Sequence, residues 1–244
     1  MKKIKQTGVT YVTKKAIECG YSDNNPEWVN LGQGSPELDL KIDLNKNLNI
    51  LPKYSPLNGI NNLREYISKY YKDNHYLICS KNNISICNGG RLAITRLMFL
   101  FNNCRIGCIS PDYTAYSELL EIGSFNKIIE LNDKSENKVS IDNIIKKIND
   151  TDITVLLFSN PKNPTGLYYN YNELTKLINF TKKKNIKIII DEMYSFYVYD
   201  LDKPMSICKL ITNIENSNII VVNGITKNWK LPGLRIGWIL SSKK

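Results

Sequence analysis

The 244-residue sequence has one histidine, His75, and only five arginines among its 33 basic residues. A single imidazole removes most acid–base schemes built on histidine, a Ser-His-Asp triad with an assignable base among them. Six cysteines (19, 79, 87, 104, 108 and 208) include no CxxC pair, and His75 lies in a polar stretch far from any pair of them in sequence. That spacing argues against a zinc site, and no metal is expected. No apolar run approaches the about 18 residues of a membrane span, and the basic N-terminus MKKIKQTGVTYVTKKAIECG carries no apolar signal segment. Reduced thiols and a cytosolic protein are therefore expected. Internal repeats, low-complexity linkers and heptads are also missing.

The formal net charge of +10 raises the question of nucleic acid or an anionic membrane. The excess is mostly lysine, spread through a chain that also holds 31 asparagines, which describes a compositional bias more than a binding patch. Its densest cluster, Lys182-Lys183-Lys184 with Lys187, closes an amphipathic helix, where cations favour the C-terminal dipole and face water. No recognition element accompanies it, so neither nucleic acid nor a membrane is expected as partner.

Fifteen Tyr, six Phe and three Trp within a 42% hydrophobic composition predict a substantial core. Strands are predicted at 84–87, 104–109, 125–131, 153–158, 186–190, 219–222 and 234–240. Three of them (153–158, 186–190 and 219–222) are apolar throughout, as strands of a parallel sheet covered on both faces must be. Helices are expected around Ile60 to Tyr70, over Leu92 to Phe101 (apolar almost all round, as if fully buried), over Pro111 to Glu121, and after Ser140. Another begins near Asn170, where Glu173 completes a capping box. The economical architecture is a three-layer α/β/α sandwich with a mainly parallel seven-stranded sheet. Residues 1–45 do not share this rhythm and are read as an arm or part of a second small domain, leaving 46–244 as the main domain.

In such a sheet ligands bind beyond the carboxyl ends of the strands, where helix N-termini offer free amides. The first strand leads into Gly89-Gly90, which suits an anion cradle or a plain turn. The strand at 153–158 leads into Ser159-Asn160-Pro161-Lys162-Asn163-Pro164-Thr165-Gly166, whose prolines hold Asn163 at the sheet edge. The next leads into Asp191, with Glu192 and Tyr194, and the following one into Thr226-Lys227, with Arg235 eight residues on. A phosphorylated pyridine aldehyde accounts for the set. Lys227 would form the Schiff base, and Asp191 would pair with the pyridinium nitrogen. Asn163 and Tyr194 would bond the ring hydroxyl, and Arg235 with the Gly89 and Gly90 amides would hold the phosphate.

NPTG at 163–166, DEMY at 191–194 and TKxxxLPGLRIGW at 226–238 resemble the class I/II aminotransferases, which are pyridoxal-phosphate enzymes of fold type I. The resemblance implies the large domain of that fold and a homodimer with composite sites. It also implies transfer of an amino group between an amino acid and a 2-oxo acid. By the same resemblance Tyr113 stacks on the cofactor, Tyr54 reaches the phosphate of the neighbouring subunit, and Gly34 belongs to the substrate-side N-terminal loop. Blander roles exist for each residue: packing for Tyr113 and Tyr54, a cap for Asp191, a surface ion pair for Arg235.

Two departures stand out. Where the family often has a phosphate-binding Ser, three residues before the reactive Lys, this chain has Gly224; Thr226 or Arg91 are the candidates to compensate. The second is that the sequence stops at Lys244, before the family's C-terminal small domain and its carboxylate-binding Arg. The expectation is that this domain is absent, the chain being a fragment, a natural truncation or half of a split enzyme with a separately encoded partner. Alternatives to transamination are a decarboxylase or cyclase on the same scaffold, or a non-catalytic cofactor-binding remnant.

Overall fold

The long apolar runs form the middle of a single sheet. The computed structural model describes residues 8–22, 24–32, 34, 54–122, 127–132 and 140–243. Among these the strands are β1 (Ile84–Cys87), β2 (Arg105–Ser110), β3 (Lys127–Asn132), β4 (Val155–Ser159), β5 (Lys187–Asp191), β6 (Ile219–Gly224) and β7 (Gly237–Leu240). They lie in the order β1-β7-β6-β5-β4-β2-β3. The run from β6 to β3 is parallel, and β7 is antiparallel to both its neighbours.

Side chains alternate strictly between two cores, as the two-residue strand period requires. Leu156, Phe158, Ile188, Ile190, Ile219 and Val221 pack on one face with α2 (Asn61–His75), α5 (Ile141–Asn149) and α6 (Tyr171–Lys183). Val155, Leu157, Ile189, Ile220 and Val222 pack on the other with α3 (Gly90–Leu100) and α4 (Ala115–Ile122). This is the expected α/β/α sandwich with seven strands. The Asn170–Glu173 capping box is formed as read, and Lys182 and Lys183 end α6 exposed to solvent.

The segment Gly8–Glu18, for which no element was predicted, forms a helix, α1, with no buried residue; its Val9, Val12 and Ile17 are exposed. Two expectations need correction. The α3 helix is not buried all round. Ala93, Ile94, Leu97 and Met98 face the sheet, whereas Phe99 and Leu100 are 61% and 77% exposed. Strand β7 starts at Gly237 and not at Leu234, because Pro232–Leu234 forms a 3-10 turn closed by Arg235 in the left-handed conformation, φ 52°. Among the described residues no helix is long and apolar enough to cross a membrane.

Candidate active site

The sheet register gathers the site at one edge. Ser159 stands opposite Asp191, Asp191 opposite Val222, and Gly237 opposite both Gly224 and Cys87. Because β7 runs backwards, its first residue lies where β1 and β6 end, so Arg235 joins a ring of segments that otherwise follow carboxyl ends of strands.

Consecutive acids at the end of β5 point to opposite faces. Asp191 follows the alternation of Ile189 toward α4, where Tyr116 OH donates to its Oδ2 at 2.9 Å and the Met193 amide donates to Oδ1 at 3.0 Å. Burial pushes its pKa up to about 6 against the pull of these two bonds, with the Asp112 charge adding to the rise. Asp112 accepts from the Tyr113 amide at 2.7 Å and from the Ser159 amide at 2.8 Å, tying the segment after β2 to the end of β4. Tyr113 is thereby set edge-to-face on Tyr116, ring centroids 5.4 Å apart. Asn163 Nδ2 lies 3.5 Å from Tyr194 OH, to which it donates.

At the other side of the site Gly89 has φ 86°, and its missing side chain makes room for Arg235: a Cβ there would lie 2.5 Å from Arg235 Nη2. The Arg235 Nη1 donates to the Pro232 carbonyl at 3.1 Å. The departure at Gly224 has a steric cause, since a Cβ there would lie 2.8 Å from the Ile236 carbonyl oxygen, so a serine would meet backbone. Of the two candidates to compensate, Arg91 reaches Tyr113 OH at 3.5 Å. Thr226 Oγ1 is buried with no hydrogen-bond partner among the described residues, and so has its bonding capacity free.

Lys227 lies in α7 (Ile225–Asn228), a single turn. Its Nζ donates to the Gly34 carbonyl at 2.6 Å, which brings the N-terminal glycine into the site, and burial lowers its pKa. Tyr54 is wholly exposed and makes no hydrogen bond among the described residues. Sequence reasoning missed Tyr116 and Asp112. A signal for Tyr116 existed: it stands three residues after Tyr113, a spacing that would put both on one face of the helix predicted over Pro111 to Glu121, and a buried Asp191 requires a donor.

Glu192 points the other way, fully buried on the α2/α6 face, where the Ile207 amide donates to its Oε1 at 2.8 Å and the Ser206 hydroxyl bonds its Oε2 at 2.8 Å. Burial raises its pKa to about 8 from an ordinary 4.5. The folded chain then keeps a proton that the unfolded chain releases, so this contribution to stability is complete below pH 4.5 and is lost as pH rises through 8. Glu192→Gln is expected to flatten the fall in melting temperature over that window, a result thermal melts across pH would check. Asp191 adds the same sign only up to about pH 6, so the upper part of the slope isolates Glu192.

Comparison with known proteins bears directly on this arrangement. Residues 26–244 match the family described as aminotransferase class I and II. The glutamate-pyruvate aminotransferase of Haemophilus influenzae is 25% identical over 237 residues, covering 94% of this chain and 58% of that protein. A probable aspartate aminotransferase of Methanocaldococcus jannaschii is 28% identical over 223 residues, 88% of this chain and 57% of that protein. The chain thus spans a little over half the length of these relatives. An aspartate aminotransferase structure from Thermus thermophilus with maleate has the same fold at a TM-score of 0.81 and 22% identity, over 98% of this chain and 63% of that one. With the family matched over nearly its whole length and the fold shared from β1 to β7, the chain belongs to the class I and II aminotransferases.

Proposed function

We propose that this chain is the cofactor-holding part of a pyridoxal-phosphate-dependent aminotransferase that moves an amino group between an amino acid and a 2-oxo acid. The observation that carries the reading is that a half-buried lysine amine with depressed basicity and a buried carboxylate held by two donors stand at the ends of adjacent strands, β6 and β5. The Gly89–Arg235 contact and the unpartnered Thr226 hydroxyl fit a phosphate group, the one offering a cation and helix amides, the other a free donor.

When bound, pyridoxal phosphate supplies an electron sink for the substrate's α-carbon. Lys227 Nζ would be its covalent anchor and the base for the substrate α-proton, a role helped by its lowered pKa. Asp191 would pair with the ring nitrogen, Asn163 and Tyr194 would bond the ring hydroxyl, and Tyr113 would stack on the ring. Gly89, Gly90 and Arg235 would hold the phosphate, with Thr226 in place of the serine that Gly224 cannot be. In a homodimer Tyr54, exposed on its own protomer, would serve the partner's site, and Gly34 would line the substrate side. The proposed division, an arm to residue 45 and the cofactor domain from 46, has its boundary outside the described residues.

The test is to load the chain with pyridoxal phosphate, offer aspartate, alanine or tyrosine, and look for the matching 2-oxo acid by mass spectrometry. Its appearance is the expected result. Cofactor bound at Lys227 without any 2-oxo acid would leave a binding protein and overturn transamination by this chain.

A further inference from the structure

A four-residue helix cannot hold itself in place, because one turn closes too few hydrogen bonds to offset the order it demands. The position of Lys227 must come from elsewhere, and the side chain next to it supplies the means. Asn228 is buried between the turn after β6 and the turn after β5. Its Nδ2 donates toward Asn223 Oδ1 at 2.9 Å, Ser195 Oγ at 3.0 Å and the Glu192 carbonyl at 3.1 Å, and its Oδ1 accepts from the Phe196 amide at 3.1 Å. Asn223 Oδ1 also accepts from the Gly224 amide at 2.7 Å, so the link runs back to the end of β6. From the far side, Tyr197 OH donates to the Lys227 carbonyl at 3.0 Å.

Only a carboxamide meets these demands. Three of the four partners can accept a proton and one donates, so a side chain here must carry N–H and C=O together. A leucine of similar size would leave the Phe196 amide and the Glu192 carbonyl without this partner in a buried place. An ionised aspartate would set oxygen against the oxygens of Asn223 and Glu192. The segment Asn228 grips, Glu192–Phe196, starts immediately after Asp191.

We infer that Asn228 is a positioning residue: its buried carboxamide locks the Lys227 turn to the turn after Asp191, fixing the amine and the carboxylate in relation to each other. The inference rests on the reading of Lys227 and Asp191 proposed above.

Its test reads the lysine amine directly and needs no cofactor. The folded chain is acylated with acetic anhydride across pH, and the midpoint for Lys227 is read by mass spectrometry against exposed lysines. Native burial lowers the Lys227 pKa below 10.5. In Asn228→Ala the turn loosens, water reaches the amine, and the midpoint is expected to rise toward that of the exposed lysines. The titratable groups on the adjoining turn, Asp191, Glu192, Tyr194 and Tyr197, are the same in every variant. Asn218→Ala is the control. It removes another carboxamide, bonded to the Ile186 carbonyl at 2.6 Å and to Thr181 Oγ1 at 3.1 Å, and should lower the melting temperature while leaving the Lys227 midpoint in place. Should Asn228→Ala fail to fold, Asn228→Ser keeps a hydroxyl donor and is expected to shift the midpoint by a smaller amount. An unchanged midpoint in a folded Asn228 variant would overturn the inference. Borohydride fixation of pyridoxal phosphate on the wild-type chain separates the two claims: no label at Lys227 removes the cofactor role, while the acylation result still decides whether Asn228 positions the amine.

Discussion

Lys227→Ala is expected to abolish borohydride-fixed labelling by pyridoxal phosphate while leaving the fold intact. The side chain is half-buried in a one-turn helix, and among the described residues its hydrogen bond goes to the Gly34 carbonyl, so its loss removes little of the core. The wild-type label should map to Lys227, since its burial leaves more of the unprotonated amine at neutral pH than a solvated lysine has. Loss of the base alone should slow α-proton removal by about 10²–10⁴-fold, and loss of the covalent anchor comes on top of that. Label spread over surface lysines in both proteins would assign the anchor role to no single residue and remove the basis of the proposed function.

Asp191→Asn should behave differently, and the contrast is informative. The amide fits the same space and can still accept from Tyr116 or from the Met193 amide, so Lys227 is expected to keep its label. The negative charge proposed to face the ring nitrogen is gone, however, and electrostatic stabilisation of this kind is typically worth about 10²–10³ in rate. Exchange of the substrate α-proton for deuterium, followed by mass spectrometry, should fall by that factor. A variant that exchanges at the wild-type rate would remove Asp191 from the chemistry.

The strands were legible because burial on both faces writes itself as uninterrupted apolar runs: Val155–Ser159, Lys187–Asp191 and Ile219–Gly224 lie within two residues of the predicted segments. The errors have physical sources too. Phe99 and Leu100 read as core because composition cannot tell an apolar side chain that packs from one that faces solvent. The start of β7 was misplaced because Leu234 and Ile236 continue the apolar pattern through a turn whose left-handed Arg235 leaves no mark in sequence. Helix α1 escaped notice because it buries nothing.

Within the candidate site, the residues the sequence points to are those carried by motifs; the residues that support them carry no such mark. Asp191, Asn163, Tyr194, Lys227 and Arg235 follow strand ends or familiar spacings. Tyr116, Asp112 and Asn228 act on those residues from neighbouring segments, and their partners are far away in sequence: Tyr116 meets Asp191 across 75 positions. Such pairings depend on which strands adjoin, which a pattern of apolar residues leaves open.

The place of β7 in the sheet has a consequence for how the protein is made. It lies between β1 and β6 although it is the last of the seven strands to be synthesised. Until it inserts, β1 has no neighbour in the sheet and β6 is an open edge, the kind of unpaired strand that invites aggregation. The backing of the Gly89 turn by Gly237 forms in the same event. The parallel sheet, the Asp191 turn and the Asn163 loop can therefore form before β7 inserts, whereas the packing of Arg235 against Gly89 waits for the long-range pairing of β7 with β1. Intermediates without β7 should lack the Gly89–Arg235 packing while retaining the parallel sheet and most of the core.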